Sequence, residues 1–165
     1  MNKFNFIDLF SGAGGFLRGF LNEGYLPLFS VDNWKPAIKT HRVNYPDVLL
    51  IEKDITKISN SEYKIYQSGK NLDVLIGGPP CQGFSSIGSR NPNDERNNLI
   101  LEFLRAVKVL KPRCFLMENV RGLTTYKKGN FFEDVLEEFN SIPGYKIDYK
   151  ILNAADYGVP QVRQR

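Results

Sequence analysis

Short apolar runs recur along this chain at residues 4–9, 26–31, 48–51, 72–76, 114–117 and 145–152, each rich in β-branched or aromatic side chains. Between them lie segments with apolar residues at helical spacing. Phe16, Leu17, Phe20 and Leu21 share one helical face that Gly24 closes, and a second helix is expected over about 36–44. Leu99, Phe103, Val107 and Leu110 mark a strongly amphipathic third, and Phe131, Phe132, Val135, Leu136 and Phe139 a fourth. Strands alternating with helices build a mostly parallel sheet with helices on both faces, so the expected fold class is α/β. Such sheets bind ligands beyond the carboxyl ends of their strands. Asp8, Asp32, Asp54, Pro80-Cys81 and Glu118 all stand at such ends. No repeat, low-complexity tract or linker interrupts the sequence, and residues 1–165 are expected to form a single domain.

Composition narrows the function classes. With 42% hydrophobic and 24% charged residues, the chain can bury a core and is not of disordered type. No apolar run approaches the roughly 18 residues of a membrane span. The N-terminus enters an apolar strand pattern at once, without signal-peptide character, so a cytosolic protein is the expectation. Lys and Arg exceed Asp and Glu by 22 to 18, a net charge of +4 compatible with a polyanionic partner. Cys81 and Cys114 are far apart in unlike contexts, which speaks against a metal pair or a disulfide, and no metal site is expected. Cys114, in an apolar run, is expected as a buried core thiol. His41 is the only histidine, which excludes chemistry needing two, and is expected on a helix surface.

Four constellations carry the chemistry. In Asp8-Leu9-Phe10-Ser11-Gly12-Ala13-Gly14-Gly15, glycines between a strand and a helix allow a tight turn and close approach of a ligand. Asp32, at the next strand end, is placed to accept hydrogen bonds from ribose hydroxyls. Gly14 and Gly15 are adjacent, which departs from the dinucleotide spacing and favours a nucleoside-type cofactor; a plain strand–helix turn is the alternative. In Gly78-Pro79-Pro80-Cys81-Gln82-Gly83-Phe84-Ser85, two prolines stiffen the backbone ahead of a loop cysteine, where a thiolate would be a reactive nucleophile. Glu118-Asn119-Val120 puts a carboxyl at the end of an apolar strand, a placement suited to proton donation. Arg163 and Arg165, at alternate positions, point the same way if extended and could hold an anion or a base.

In this order, the motifs resemble those of the cytosine-5 DNA methyltransferases. The resemblance covers Asp8 to Gly15, Gly77 to Ser85, Met117-Glu118-Asn119-Val120 and Leu152 to Arg165, with Asp54-Ile55-Thr56 and Asp94 to Leu99 also fitting. It implies a Rossmann-like methyltransferase fold, S-adenosylmethionine as cofactor and double-stranded DNA as substrate, in a restriction-modification type of enzyme. Cys81 would add to C6 of a flipped-out cytosine, activating C5 to take the methyl group. Glu118 would donate to or hold N3, and Arg163 and Arg165 would contact the base and the cysteine's surroundings. Phe10 and the turn of Gly12, Gly14 and Gly15 would underlie the cofactor. Asp32 would hold its ribose and Asp54 its adenine amino group, Pro80 and Leu99 would line the methionine side, and Asn33 and Ile55 would also contact the cofactor.

Family members continue past Gln164-Arg165 into a further strand, a target-recognition domain and a returning helix. A truncation, a proteolytic remnant or one subunit of a split enzyme is therefore expected, weak alone in cofactor binding and methylation. A second chain or the missing segment would read the DNA sequence. Three alternatives stand beside this reading. They are a catalytically silent subunit, a transfer-RNA methylating relative, and a nicotinamide-dependent reductase, against which the glycine spacing and the Pro-Pro-Cys loop both speak.

Overall fold

Five of the six apolar runs find one another. β1 (Asn5–Leu9), β2 (Leu26–Asp32), β3 (Leu50–Glu52), β4 (Val74–Gly77) and β5 (Cys114–Met117) form one sheet in the order β3-β2-β1-β4-β5. Every neighbouring pair is parallel. The chain winds outward from β1 in one direction to β3, then returns to β4 on the other side. The carboxyl ends of β1 and β4 therefore flank the point where the winding reverses, the usual ligand crevice of such sheets. The computed structural model describes residues 4–80, 98–125 and 129–165.

Helices α1 (Gly15–Asn22), α2 (Lys35–Asn44), α3 (Asn60–Gln67), α4 (Asn98–Leu110) and α5 (Asn130–Asn140) complete the pattern. Side-chain alternation along the strands assigns the faces. Phe6, Val74 and Ile76 form one buried cluster with Leu17 of α1, with Phe16, Phe20, Leu21 and Tyr45 packed around it. The opposite face carries Phe29 against Tyr66 of α3, ring centroids 5.7 Å apart. On that face Gly77 lets α4 approach: a Cβ there would lie 2.9 Å from the Phe103 ring and 2.8 Å from the Leu9 carbonyl. Around β1, β2 and β4 both faces are thus covered, as the alternating pattern requires.

Local signals set the ends of α1. Gly24 is left-handed (φ 79°), the Gly24 N–H donates to the Leu21 carbonyl and the Tyr25 N–H to that of Phe20. This is a Schellman ending, and the Phe20 and Tyr25 rings, 5.1 Å apart, make its hydrophobic contact. α3 was not anticipated from apolar spacing, because only Tyr63 and Gln67 of its residues are buried. Its capping box was legible, however. Ser59 Oγ accepts from the Glu62 N–H at 3.2 Å and the Glu62 carboxylate accepts from the Ser59 N–H at 2.9 Å.

Three expectations are corrected. Residues 145–152 form no strand among the described residues; only Leu152 pairs, with Arg165, through main-chain bonds of 2.8 and 2.9 Å. β5 is the outermost strand of the sheet and is not buried, and Cys114 is exposed because no element covers its side among the described residues. His41 is fully buried, since Ala37, Ile38 and His41 form the stripe by which α2 meets the interior.

The chain divides into two compact units. Met1–Pro79 with Leu101–Met117 contains the whole sheet, and Pro80–Ile100 with Glu118–Arg165 contains α5 and the segment leading to Arg165. In the second unit, Leu123, Val135, Phe139 and Ile142 are buried, and Phe132 meets Tyr149 edge-on at 4.8 Å.

Candidate active site

In the first unit the glycine turn is built by what surrounds it. Phe10 leaves β1 in the left-handed region (φ 58°), a conformation that costs a non-glycine residue energy and concentrates at functional turns. The Ser11 N–H donates to the Val31 carbonyl at 3.0 Å, tying the turn to β2. Asp32 completes the tie. Its Oδ2 accepts from the Gly12 N–H at 2.7 Å and its Oδ1 from the Trp34 N–H at 2.8 Å. Phe10, Gly12 and Asp32 are brought together as the sequence suggested, while Asn33 beside them is exposed.

The glycines differ in role. A Cβ on Gly12 or Gly15 would meet nothing within 4 Å, so the turn is open there. Gly14 is closed: it is left-handed (φ 92°), and a Cβ would fall 2.3 Å from the Tyr45 ring. Tyr45 also donates its hydroxyl to the Gly14 carbonyl at 3.2 Å. Gly14 thus shapes the turn from beneath, and Gly12 is its open position. An open turn with a part-buried carboxylate at its side fits a nucleoside cofactor such as S-adenosylmethionine.

Asp54 follows β3 and caps the 3₁₀ turn Ile55–Lys57, its Oδ1 accepting from Thr56 N–H at 3.0 Å and Thr56 Oγ1 at 2.8 Å. Oδ2 takes neither of these bonds. Ile55 is buried beneath. Sequence reasoning missed what fixes this turn. Arg105 of α4 donates to the Ile55 carbonyl at 3.1 Å and to Asn60 at 2.8 Å, is held by Glu102 at 2.6 Å, and lies over the Tyr63 ring. A Glu-Arg pair three apart within the amphipathic pattern was the available signal.

The burial of Asp8 and His41 was not anticipated: Asp8, expected at the carboxyl end of its strand, lies within β1. Asp8 is fully buried and neither carboxyl oxygen has a hydrogen-bond partner. Burial pushes its pKa up to about 8; the Leu17 amide lowers it and the Asp32 charge raises it further. Burial pushes His41 down, opposed by the attraction of Asp32, and neither ring nitrogen has a partner. At neutral pH Asp8 is therefore an uncharged acid and His41 a neutral imidazole, both within the field of Asp32.

In the second unit, Glu118 follows β5 directly and is paired with Arg165, Nε to Oε1 at 2.9 Å, both side chains about a third exposed or less. Arg165 and Arg163 lie on the segment that pairs back on residues 152–154, and the Arg163 N–H donates to Asn153 Oδ1 at 3.0 Å. Arg163 is exposed and Arg165 half-buried, alternate positions of one extended stretch. Pro80 is exposed and Leu99 half-buried on α4. Cys81, with the remainder of its loop, lies outside the described residues. No group of three or more potential metal ligands occurs among the described residues. In the first unit, a groove of about 800 Å³ near Arg18, Leu28, Asp47 and Lys70 opens where β1 and β2 begin, at the other end of these strands from Phe10 and Asp32.

The five-stranded parallel sheet, with the glycine turn at the end of β1 and helices packed on it, defines a Rossmann-like α/β architecture. Residues 4–165 match the family described as C-5 cytosine-specific DNA methylase, and the chain belongs to that family. It is 45% identical over 163 residues to the type II methyltransferase M1.HphI of Haemophilus parahaemolyticus, covering 97% of this chain and 44% of that protein. It is 42% identical to M.AquIA of Picosynechococcus, covering 96% of this chain and 68% of the relative. A crystal structure described as a DNA modification methyltransferase encoded within a prophage of E. coli superposes with a TM-score of 0.79 at 34% identity, covering 98% of this chain and 44% of that one. The S. pombe Dnmt2 methyltransferase shares the fold with a TM-score of 0.73, covering 99% of this chain and 48% of that one. The chain spans less than half the length of M1.HphI.

Proposed function

We propose that this chain supplies the cofactor-binding and catalytic part of a type II enzyme that methylates C5 of cytosine in double-stranded DNA. The observation that carries the reading is the Glu118–Arg165 pair at 2.9 Å, the glutamate following a parallel strand and the arginine closing a segment that also bears Arg163. S-adenosylmethionine, when bound, supplies a methyl group made electrophilic by its sulfonium. Phe10 and the Gly12 turn lie under it, with Gly14 and Gly15 shaping that turn. Asp32 holds the ribose and Asp54 the adenine amino group, Pro80 and Leu99 line the methionine side, and Asn33 and Ile55 also contact the cofactor.

Cys81 adds its thiolate to C6 of a flipped-out cytosine, and the ring's electron pair shifts toward C5. Glu118 holds or protonates N3, offsetting the charge that develops, while Arg165 fixes the carboxyl's direction. Arg163 contacts the base. Once C5 carries the methyl group, loss of its proton restores the ring double bond and expels Cys81. Sequence selection belongs to a further segment or second chain that reads the major groove. Residues 1–165 act as one catalytic domain of a cytosolic protein associated with DNA.

Trapping with DNA containing 5-fluorocytosine tests the reading, because fluorine cannot leave as the proton does. With S-adenosylmethionine, the protein with its natural flanking sequence is expected to stall as a covalent adduct that disappears in Cys81→Ser. An adduct that survives in Cys81→Ser, or none at all from that protein, would falsify it.

A further inference from the structure

The segment bearing Arg163 and Arg165 needs more than Glu118 to hold it. Its main-chain partner is residues 152–154, through Leu152–Arg165 bonds of 2.8 and 2.9 Å and the Ala154 N–H to Arg163 carbonyl bond at 2.9 Å. A pairing this short and exposed is marginal on its own and resists twisting poorly. Along an extended stretch, Gln164 projects opposite to the two arginines. Arg121 meets it there, Nη1 donating to Gln164 Oε1 at 2.5 Å. The stretch is thus held at two adjacent residues from the turn after β5, by Glu118 on Arg165 and by Arg121 on Gln164. That turn has a fixed base. Arg121 opens the 3₁₀ helix Arg121–Thr124, Thr124 Oγ1 donates back to the Arg121 carbonyl at 3.0 Å, and Leu123 is buried.

We propose that Arg121 is a positioning residue of the methylation site: by holding Gln164 it sets the direction in which Arg163 and Arg165 present their guanidinium groups to the base and to Glu118. The inference rests on the catalytic reading above. It follows from the sensitivity of such sites to placement, where a shift of about 1 Å costs on the order of 100-fold in rate.

The test uses the protein with its natural flanks and the variants Arg121→Ala, Gln164→Ala, their double and Arg121→Lys. Each alanine variant is expected to lower kcat about tenfold with the KM for S-adenosylmethionine unchanged. The double should fall no further than the single variants, since both remove one contact, and Arg121→Lys should recover most of the rate. The NMR signal of the Arg165 Nε–H should move in Arg121→Ala. Wild-type rates in both single variants, or losses that multiply in the double, would overturn the proposal. If the unaltered protein transfers no methyl group, the catalytic reading fails. The Arg165 signal then decides the positioning separately, and an unmoved signal refutes it.

Discussion

Asp8 and His41, both fully buried, make the stability of the first unit depend on pH. Asp8 titrates near 8 when folded against 3.8 when unfolded, so between those values the folded state binds more protons than the unfolded chain. Stability present below pH about 4 is therefore lost progressively as the pH rises to about 8. Asp8→Asn is expected to flatten that decline and to stabilise the protein above pH 8 by on the order of a few kcal/mol, read from urea denaturation against pH. His41 acts in the other direction. Its folded pKa is depressed, so stability is lost as pH falls below its unfolded value of 6.5. The glycines give a second contrast at this scale. Gly14→Ala must force a Cβ into the Tyr45 ring at φ 92° and should cost about 2–4 kcal/mol. Gly12→Ala meets no such ring. It should cost about 1–2 kcal/mol of stability and act mainly on cofactor affinity, with calorimetry of S-adenosylmethionine binding separating the two.

Among the elements, α3 and α4 meet through Arg105, whose bonds to Ile55 and Asn60 clamp the turn that begins at Asp54. Arg105→Ala leaves Glu102 without its partner and frees that turn. It is expected to destabilise the protein by about 1–3 kcal/mol and to weaken cofactor binding several-fold, while the rate at saturating cofactor changes little. A loss in rate with unchanged affinity would place Arg105 elsewhere in the mechanism. Element existence was largely legible: among the described residues, five of the six expected strands form, and four of the five α-helices follow from period and length alone. The exceptions have physical causes. α3 offers too few apolar positions for a periodic signal and is held by its capping box and by Arg105. Residues 145–152 have the composition of a strand but find no ladder to join among the described residues.

Taken as a whole, the molecule is a net cation of +4, and a DNA partner would be bound largely through phosphate neutralisation. Affinity of the protein with its natural flanks for a DNA duplex should fall at least about tenfold between 50 and 200 mM salt; a flat response would argue against phosphate contacts. What the sequence determined by itself was the sheet and the motifs that mark the family. Those rest on local properties: periodicity, turn chemistry and short contiguous runs. Only the tertiary structure decided that His41 is buried while Cys114 is exposed, because burial depends on which element covers a face and not on the residue's own neighbours in sequence. The same holds for Gly14 lying under Tyr45, 31 residues away, and for Glu118 meeting Arg165 across 47 residues of chain. Pairings of that separation are set by how the segments return past one another, and no local pattern encodes them.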